Sequence, residues 1–311
     1  MTWLITGGTG FLGRYVLSAL ADSSRPANRV VALGRHHPGG WPLEDFVRAD
    51  LDDLAGLSRA MDELSPKVVI HCAGRTPPAP SWQLYRSNTR ATAFLLDALR
   101  ATGRPCRVVL AGSAAELGRV PVEALPVGED YPCRPTDAYG LSKWAASRLG
   151  LQATPPLEVL VARVFNPIGP GLPPSQAFGR FASTLSEPGT GPLTMRVSDL
   201  DVRRDFIDVR DVAAALISLA EHGRSRAIYH VGTGRSRSVG EGLRELIRLS
   251  GRLVHLEENV SPSARHGPSD SRADIARLVG ETGWSPKVCW ESSLTDLWAD
   301  ASRRRINRRV A

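Results

Sequence analysis

The run Thr6-Gly7-Gly8-Thr9-Gly10-Phe11-Leu12-Gly13 follows a short apolar segment and opens a segment with apolar residues at helical spacing, Leu12–Ala21. A strand, a glycine-rich turn and a helix in this order are the context of a dinucleotide site. Gly7 permits the tight turn, Gly10 lets the backbone approach a pyrophosphate, and Gly13 allows close packing of helix on strand. The helix N-terminus adds amide donors and a partial positive charge. An ordinary glycine turn is the alternative.

Beyond this run, the first half of the chain alternates short β-branched segments with helical segments such as Ala91–Ala101. This alternation is typical of a parallel sheet built from βαβ units. We therefore predict an α/β fold with a Rossmann-type, doubly wound parallel sheet. The predicted strands are Trp3–Thr6, Arg29–Leu33, Phe46–Ala49, Val68–His71, Arg107–Ala111, Glu158–Arg163 and Ala227–Val231.

The character of the chain changes after about Asn166. The segments Asn166–Pro174 and Glu187–Pro192 are rich in Pro and Gly, so we predict loops over a site there. Residues 1–166 are expected to form the dinucleotide-binding domain, with a returning strand near 227–234. Residues 167–226 and 235–311 are expected to form a smaller, discontinuous C-terminal α/β domain that binds the substrate.

Composition narrows the class of protein. The chain has 311 residues with 42% hydrophobic and 23% charged content, which is typical of a globular enzyme. It shows no signal peptide and no apolar run of about 20 residues, so we expect no membrane association. The cysteines form no C-x-x-C pair, which gives no support for zinc and favours a reducing, cytoplasmic location. They are Cys72, Cys106, Cys133 and Cys289.

The net charge of +7 is consistent with an anionic small substrate or with nucleic acid. Part of the excess lies in a C-terminal arginine cluster without interleaved aromatic residues. A solvated tail is therefore favoured over a nucleic-acid arm, and no nucleic-acid partner is expected. The cluster comprises Arg303, Arg304, Arg305, Arg308 and Arg309.

The end of the second predicted strand bears on the choice of cofactor. An NAD site usually has a carboxylate here that binds the ribose 2′-hydroxyl, whereas this chain has Gly34-Arg35-His36-His37. A guanidinium suits a 2′-phosphate, so we predict NADP(H). In the alternative, Arg35 points to solvent and Asp50 or another acid binds the ribose.

Tyr139 and Lys143 lie four residues apart in Ala138-Tyr139-Gly140-Leu141-Ser142-Lys143, on one face of a predicted helix. A phenol exchanges a proton near neutrality if a close ammonium stabilises its phenolate. The lysine can also hold the nicotinamide ribose. This pair predicts proton transfer to or from a carbonyl or alcohol, although a surface Tyr/Lys pair would have the same spacing.

These features together resemble the extended short-chain dehydrogenase/reductase superfamily, the nucleotide-sugar epimerase, dehydratase and reductase group, over nearly the full chain. The matching segments are residues 6–13, Ala49-Asp50-Leu51, His71-Cys72-Ala73-Gly74, Ser87-Asn88-Thr89, Ser113, residues 139–143 (YGLSK), 163–171 (RVFNPIGPG) and 203–213 (RRDFIDVRDVA), and Thr282-Gly283-Trp284-Ser285-Pro286.

The resemblance implies a set of site residues. The expected catalytic residues are Ser113, Tyr139 and Lys143. The expected cofactor-binding residues are Gly7, Thr9, Gly10, Phe11, Leu12, Gly13, Arg35, Asp50, Leu51, Cys72, Ala73, Gly74, Asn88, Tyr139 and Lys143. The expected substrate-binding residues are Ser113, Asn166, Arg180, Arg204 and Arg265, the last two on the diphosphate. No metal ligand is expected.

Several of these residues also have a purely structural explanation. Asp50 is either an adenine contact or the N-cap of a helix over Asp52–Met61, and Asn88 either supports catalysis or only bridges strands. His71 is interpreted as a core histidine rather than a proton carrier. Each arginine could instead be a surface residue of a basic protein.

In the dehydratases of this group, the segment after the fifth strand resembles T-D-E-x-Y-G. Here Ala114 and Ala115 occupy the acidic positions, and Glu116 is one place out of register and expected to point away from the substrate. Methyl groups transfer no protons, so dehydration is disfavoured.

Residues 203–213 are most similar to GDP-4-keto-6-deoxy-D-mannose reductases. The resemblance therefore implies NADPH-dependent reduction of a nucleotide-activated 4-keto-6-deoxyhexose to a product of the GDP-rhamnose type. A 4-epimerase that retains NAD(P) is the alternative, and a non-catalytic NADP-sensing regulator is an alternative of another class. A nucleotide-diphosphate sugar as substrate and a homodimer are also implied.

Overall fold

The computed structural model describes residues 1–21, 29–189, 191–258 and 269–310. The strands are β1 Thr2–Thr6, β2 Arg29–Gly34, β3 Phe46–Arg48, β4 Val68–His71, β5 Cys106–Ser113, β6 Leu157–Val164, β7 Asn166–Ile168, β8 Leu193–Val197, β9 Arg203–Arg204, β10 Phe206–Asp208, β11 Ile228–Val231, β12 Arg237–Ser238 and β13 Val254–Glu258. The helices are α1 Phe11–Ala21, α2 Leu54–Leu64, α3 Ser81–Leu84, α4 Ala91–Ala101, α5 Ala138–Leu151, α6 Ala177–Leu185, α7 Val209–His222, α8 Val239–Ser250, α9 Ala276–Thr282 and α10 Trp290–Val310.

Seven parallel strands form the central sheet in the order β11-β6-β5-β4-β1-β2-β3. The strands are short and almost fully apolar because helices cover both faces. The order reverses at β1, and in such sheets ligands bind in the crevice at the carboxyl ends of the strands beside this switch point. The predicted doubly wound parallel sheet is confirmed.

Two apolar layers cover the sheet. One contains residues of α1 and α7, including Val16 and Leu216, packed on Ile5 and Val164. The other contains residues of α2 and α4, including Leu57 and Leu95, packed against the opposite face. Burial of this kind contributes about 25 cal/mol per Å² of apolar surface and dominates the stability of the fold.

A third apolar cluster joins α6, α8 and α10 with β8, outside the central sheet. Three two-stranded sheets accompany it, namely β10 with β7, β12 with β9 and β13 with β8. The prediction of a continuous loop over Asn166–Pro174 was partly wrong, since Asn166–Ile168 pairs in parallel with Phe206–Asp208. A pairing between segments 40 residues apart leaves no local signal in the sequence.

The glycine run adopts the predicted turn between β1 and α1. Gly7 has a φ of +73°, which disfavours any residue with a Cβ. A Cβ at Gly13 would lie 2.2 Å from the Gly7 carbonyl oxygen, so helix and turn pack in backbone contact. The Gly10 amide donates to the same carbonyl at 2.9 Å. This geometry leaves the first amides of α1 facing the carboxyl edge of the sheet.

Within the described ranges, no helix has the length and apolar character needed to cross a membrane. Over the same residues, no cluster of three or more His, Cys, Asp or Glu side chains is arranged to hold a metal ion. All four cysteines are free thiols.

Candidate active site

A cleft of about 980 Å³ lies at the carboxyl edge of the sheet and brings together most of the predicted functional residues. Its lining comes from the glycine turn, from the ends of β4, β5 and β6, and from the segments that carry Arg180 and Arg204. The predicted residues that line it are Gly10, Phe11, Leu12, Cys72, Gly74, Asn88, Ser113, Tyr139, Lys143, Asn166, Arg180 and Arg204.

Tyr139 and Lys143 lie on the first turns of α5, with Asp137 as the N-cap that accepts from the Gly140 amide. The Tyr139 phenol shares a hydrogen bond with the Ser113 hydroxyl. Burial raises the pKa of Tyr139, the Ser113 bond opposes that shift, and the Glu116 and Asp137 charges add to it. Tyr139 is therefore a protonated donor at neutral pH.

Lys143 points towards the strand ends. Its Nζ donates to the Ala111 carbonyl oxygen of β5. Burial lowers the pKa of Lys143, and the charges of Glu116 and Cys72 oppose that shift. The ammonium therefore lies among the strand ends on the helix face that carries Tyr139, as their spacing of four residues predicts.

The segment after β5 presents methyl groups rather than carboxylates to the cleft. Ala114 and Ala115 line it, while Glu116 is fully buried. Glu116 closes a capping box with Ser113 and contacts Arg163. The prediction that Glu116 points away from the substrate is confirmed, and the carboxylate pair that dehydration needs is missing from this segment.

Asn88 lies in a π-helical turn, Tyr85–Arg90, where the helical ladder is locally widened. Its amide nitrogen donates to the Arg75 carbonyl at 3.0 Å and to Ser142 Oγ at 2.9 Å, and its oxygen accepts from the Arg75 amide at 2.7 Å. Asn88 therefore ties the loop after β4 to α5, between Tyr139 and Lys143. It bridges a loop and a helix rather than two strands.

A second pocket of about 600 Å³ opens beyond the end of β2, and we call it the basic pocket for the three arginines in its lining, which also includes the carboxylates of Asp50, Asp53 and Glu63. Arg35, His36, Arg48 and Arg59 line it together with Asp50. Sequence reasoning found Arg35 and Asp50 but missed the other three. Arg48 ends β3 opposite Gly34 in the β2–β3 pairing, and Arg59 lies on α2, so strand pairing and helix packing together bring them to Arg35.

Asp50 is not the N-cap of α2. Asp53 is, with its side chain accepting from the Gly56 amide at 3.0 Å. Asp50 Oδ1 instead accepts from the Asp52 amide at 3.1 Å in the turn before the helix. The capping alternative for Asp50 was therefore wrong.

The cleft lining includes two of the predicted anion contacts. Arg180 on α6 is exposed, and Arg204 on β9 is half-buried, where burial lowers its pKa against the opposing charges of Asp270 and Asp199. Asn166 donates through its side chain to the Asp205 carbonyl at 3.0 Å. Arg265 lies outside the described residues.

Five predicted cofactor residues line neither the cleft nor the basic pocket. They are Gly7, Thr9, Gly13, Leu51 and Ala73. Gly7 packs its α-carbon against the Ala73 backbone. His71 is a core histidine as predicted, since its ring nitrogens bond Thr6 and Thr92 and burial lowers its pKa to about 3.

The cleft also contains residues that the motifs did not indicate, namely Arg75, Thr76, Thr136, Gln176 and Ser271. They come from loops after β4, before α5 and α6, and near residue 270. Their approach depends on tertiary packing, so no local signal could have identified them.

Comparison with known proteins agrees with this arrangement. The model of the NAD dependent epimerase/dehydratase family matches residues 3–232. A GDP-6-deoxy-D-mannose reductase from Pseudomonas aeruginosa is 34% identical, over 96% of this chain and 97% of that protein. A dTDP-6-deoxy-L-talose 4-dehydrogenase (NAD(P)(+)) from Kitasatospora kifunensis is 28% identical over 96% and 95%.

Among solved structures, RMD from Pseudomonas aeruginosa complexed with NADPH superposes with a TM-score of 0.84 at 31% identity, over 97% of this chain and 99% of that one. The glycine turn, the Tyr139–Lys143 helix and the central sheet all fall within the family match. The chain therefore belongs to the NAD dependent epimerase/dehydratase family, an extended short-chain dehydrogenase/reductase group, as its motifs predicted.

Proposed function

We propose that this protein uses NADPH to reduce the 4-keto group of a nucleotide-activated 4-keto-6-deoxyhexose, with GDP-4-keto-6-deoxymannose the best candidate and a GDP-rhamnose type product. One observation carries the proposal. A serine, a tyrosine and a lysine meet in a cleft that runs from a dinucleotide turn to two arginines. Such a cleft is suited to exchanging a hydride and a proton with a sugar carbonyl while its diphosphate is held.

The residues of this chain fit NADPH. Gly10 lines the cleft without a side chain, so a pyrophosphate could approach the backbone at the start of α1. Arg35, Arg48 and Arg59 surround the basic pocket, and planar guanidinium groups suit a 2′-phosphate. The name of the related structure from Pseudomonas aeruginosa, in complex with NADPH, supports the same cofactor.

The chemistry that NADPH supplies when bound is hydride donation from its nicotinamide. The Ser113 hydroxyl would donate a hydrogen bond to the ketone oxygen and stabilise the negative charge that develops there. Tyr139, protonated at neutral pH, would give its phenolic proton to that oxygen. Lys143 would stabilise the resulting phenolate and hold the ribose, and Asn88 fixes the helix that carries both residues.

The substrate class rests on charge and on the names of relatives. Arg180 and Arg204 line the cleft and would bind the sugar diphosphate, and Asn166 would help to seat the sugar. The Pseudomonas relative is a GDP-6-deoxy-D-mannose reductase and the Kitasatospora relative acts at the 4-position of a 6-deoxyhexose. Both names support a 6-deoxyhexose and oxidoreduction, and the Kitasatospora name supports position 4.

The test is oxidation of NADPH by the purified protein with GDP-4-keto-6-deoxymannose, with UDP and dTDP 4-keto sugars as comparators and NADH as the cofactor control. The proposal expects consumption of NADPH with the GDP-sugar. Interconversion of two 4-epimers without net consumption would identify an epimerase. NADPH binding without turnover of any sugar would identify a sensor.

We further propose that residues 1–166 with 227–234 bind the cofactor, and that 167–226 and 235–311 bind the sugar nucleotide. The free thiols support a reducing, cytoplasmic location.

We also propose a homodimer through α3 and α5. Trp82 on α3, Tyr85 in the π-helical turn that follows it, and Leu141 and Leu149 on α5 are large apolar side chains with exposed fractions of 58%, 36%, 39% and 37%. Since α3 packs against α5, these side chains lie on neighbouring elements, and exposed apolar surface shared by such elements supports an interaction site. Light scattering of the Trp82→Glu variant tests this, since the proposal expects a shift from dimer to monomer and a monomeric wild type would contradict it.

A further inference from the structure

A buried ion pair lies directly behind the catalytic cleft. Glu116 and Arg163 are 0% and 1% exposed, and 3.3 Å separates Oε2 of the carboxylate from Nε of the guanidinium. Burying two charges costs several kcal/mol per ion before their attraction offsets it, so such a pair contributes little net stability. The position of the pair, rather than its energy, gives the reason for its presence.

One oxygen of Glu116 bridges the two elements that carry the catalytic groups. Its Oε1 accepts from the Ser113 amide at 2.7 Å and from Ser147 Oγ at 3.0 Å. Tyr139, Lys143 and Ser147 follow one another at spacings of four on one face of α5. The strand end that carries Ser113 and the helix that carries Tyr139 are therefore tied to a single atom.

Arg163 holds the carboxylate from the neighbouring strand. Its Nη2 donates to Cys133 Sγ at 3.1 Å, and its Nη1 lies 3.0 Å from His230 Nε2. His230 Nδ1 donates to the Val127 carbonyl, which leaves Nε2 as an acceptor for Arg163. Burial and then Arg163 lower the pKa of His230 to about 3, so the ring stays neutral. Each of the three guanidinium nitrogens of Arg163 therefore has a hydrogen-bond partner.

The sequence keeps space for this arrangement. Gly112 lies opposite Arg163 in the β5–β6 register. A Cβ at Gly112 would lie 2.7 Å from Glu116 Oε1 and 2.9 Å from a methyl group of Val161. Any side chain here would push the carboxylate out of its bridging position.

We propose that Glu116 is a positioning residue, whose carboxylate sets the separation of the Ser113 hydroxyl and the Tyr139 phenol while Arg163 holds that carboxylate in place. The inference rests on the proposed reductase function, since Ser113 and Tyr139 are the groups that touch the ketone oxygen. Misplacing such groups by about 1 Å costs on the order of 100-fold in rate.

The same carboxylate places a negative charge beside the phenol. The charged and titratable groups around Tyr139 and its lysine are Asp137 and Lys143 at the start of α5, His71 at the end of β4, Cys72 after it, Glu116 after β5 and Arg163 on β6. Glu116 raises the pKa of Tyr139. Removing that charge lowers the pKa of the phenol, and the now unbalanced Arg163 acts in the same direction. Ketone reduction needs the protonated phenol, so kcat falls at high pH as the phenol loses its proton. Without the Glu116 charge, this fall is expected at a lower pH.

Ser147→Ala removes one arm of the bridge and leaves the ion pair intact. The proposal expects kcat to fall about tenfold with KM for NADPH and for the sugar unchanged. Ser293→Ala is the matched control. Ser293 is also buried, at 1% exposed, and its hydroxyl donates to the Asp208 carboxylate at 2.6 Å. Neither residue lines the cleft. Equal kcat values for Ser147→Ala, Ser293→Ala and wild type would overturn the proposal.

Glu116→Gln keeps an acceptor of the same length and removes the charge. The proposal expects the alkaline limb of the kcat profile to move to lower pH, and an unmoved limb in a folded variant would contradict it. If this variant does not fold, Ser147→Ala decides.

Crystal structures of wild type and Ser147→Ala supply a readout that needs no substrate. A longer distance between Ser113 Oγ and Tyr139 Oη in the variant is expected, and an unchanged distance would overturn the proposal. An inactive wild type would refute the reductase function alone.

Discussion

Replacement of Arg35 by alanine is expected to weaken NADPH binding about tenfold and to leave NADH binding unchanged. The Arg35 side chain is exposed at the rim of the basic pocket, so its bond to the 2′-phosphate belongs at the low end for charged hydrogen bonds, about 1.5 kcal/mol. About 1.4 kcal/mol corresponds to a factor of ten in affinity. Arg48→Ala and Arg59→Ala should each have a similar effect, and the triple variant less than their product because the groups are neighbours.

The assay is titration of each variant with NADPH and NADH, followed by fluorescence of the reduced nicotinamide. Arg196→Ala is the control. Arg196 is an exposed arginine that pairs with Glu257 within the two-stranded β8–β13 sheet, which is separate from the central sheet. Added salt should weaken NADPH binding more than NADH binding. Equal losses for both cofactors, or none, would refute the assignment of the basic pocket to the 2′-phosphate.

Three further predictions follow from the site and the core. Tyr139→Phe removes the phenolic proton donor and should lower kcat by about 100-fold or more with NADPH affinity retained; unchanged turnover would contradict its role. Gly13→Ala places a Cβ 2.2 Å from the Gly7 carbonyl, so thermal unfolding should show a loss of about 1–3 kcal/mol, and wild-type stability would contradict the packing. His71 and His230 have folded pKa values of about 3 against 6.5, so protons bind the unfolded chain more tightly. Their stabilisation is complete above about pH 6.5 and should decline by about 1.4 kcal/mol per pH unit for each histidine below it, until the pH reaches the folded pKa. Chemical denaturation at several pH values checks this against a His71→Gln variant, which should have a shallower slope.

Local patterns were enough to predict the sheet. Every strand of the seven-stranded sheet was predicted within two residues at each end, because buried parallel strands are short apolar runs with turns at their ends. The Tyr139–Lys143 face followed from helical spacing alone. Strands formed by distant pairing, such as Asn166–Ile168 with Phe206–Asp208, gave no comparable signal.

The candidate site was less predictable where it depends on tertiary packing. Arg48 joins Arg35 because β3 pairs with β2, and Arg59 joins them because of where α2 packs. The register of Glu116 correctly predicted that its side chain points away from the cleft. Arg163 belongs to a motif that the sequence analysis identified, but nothing in that motif predicted that the side chain is buried and paired with Glu116. From sequence alone, a charged residue in a strand is predicted to be exposed, because the oppositely charged partner that allows its burial is distant in the sequence.

The central claim is that hydride passes from NADPH to the sugar while Tyr139 supplies the proton. Purified protein should therefore be given NADPH deuterated on the transferred position together with GDP-4-keto-6-deoxymannose, and the sugar analysed by mass spectrometry and NMR. The account predicts one deuterium at C4 of the sugar for each NADPH oxidised. Turnover of the sugar without deuterium at C4, or no oxidation of NADPH by a folded protein that binds it, would contradict the account.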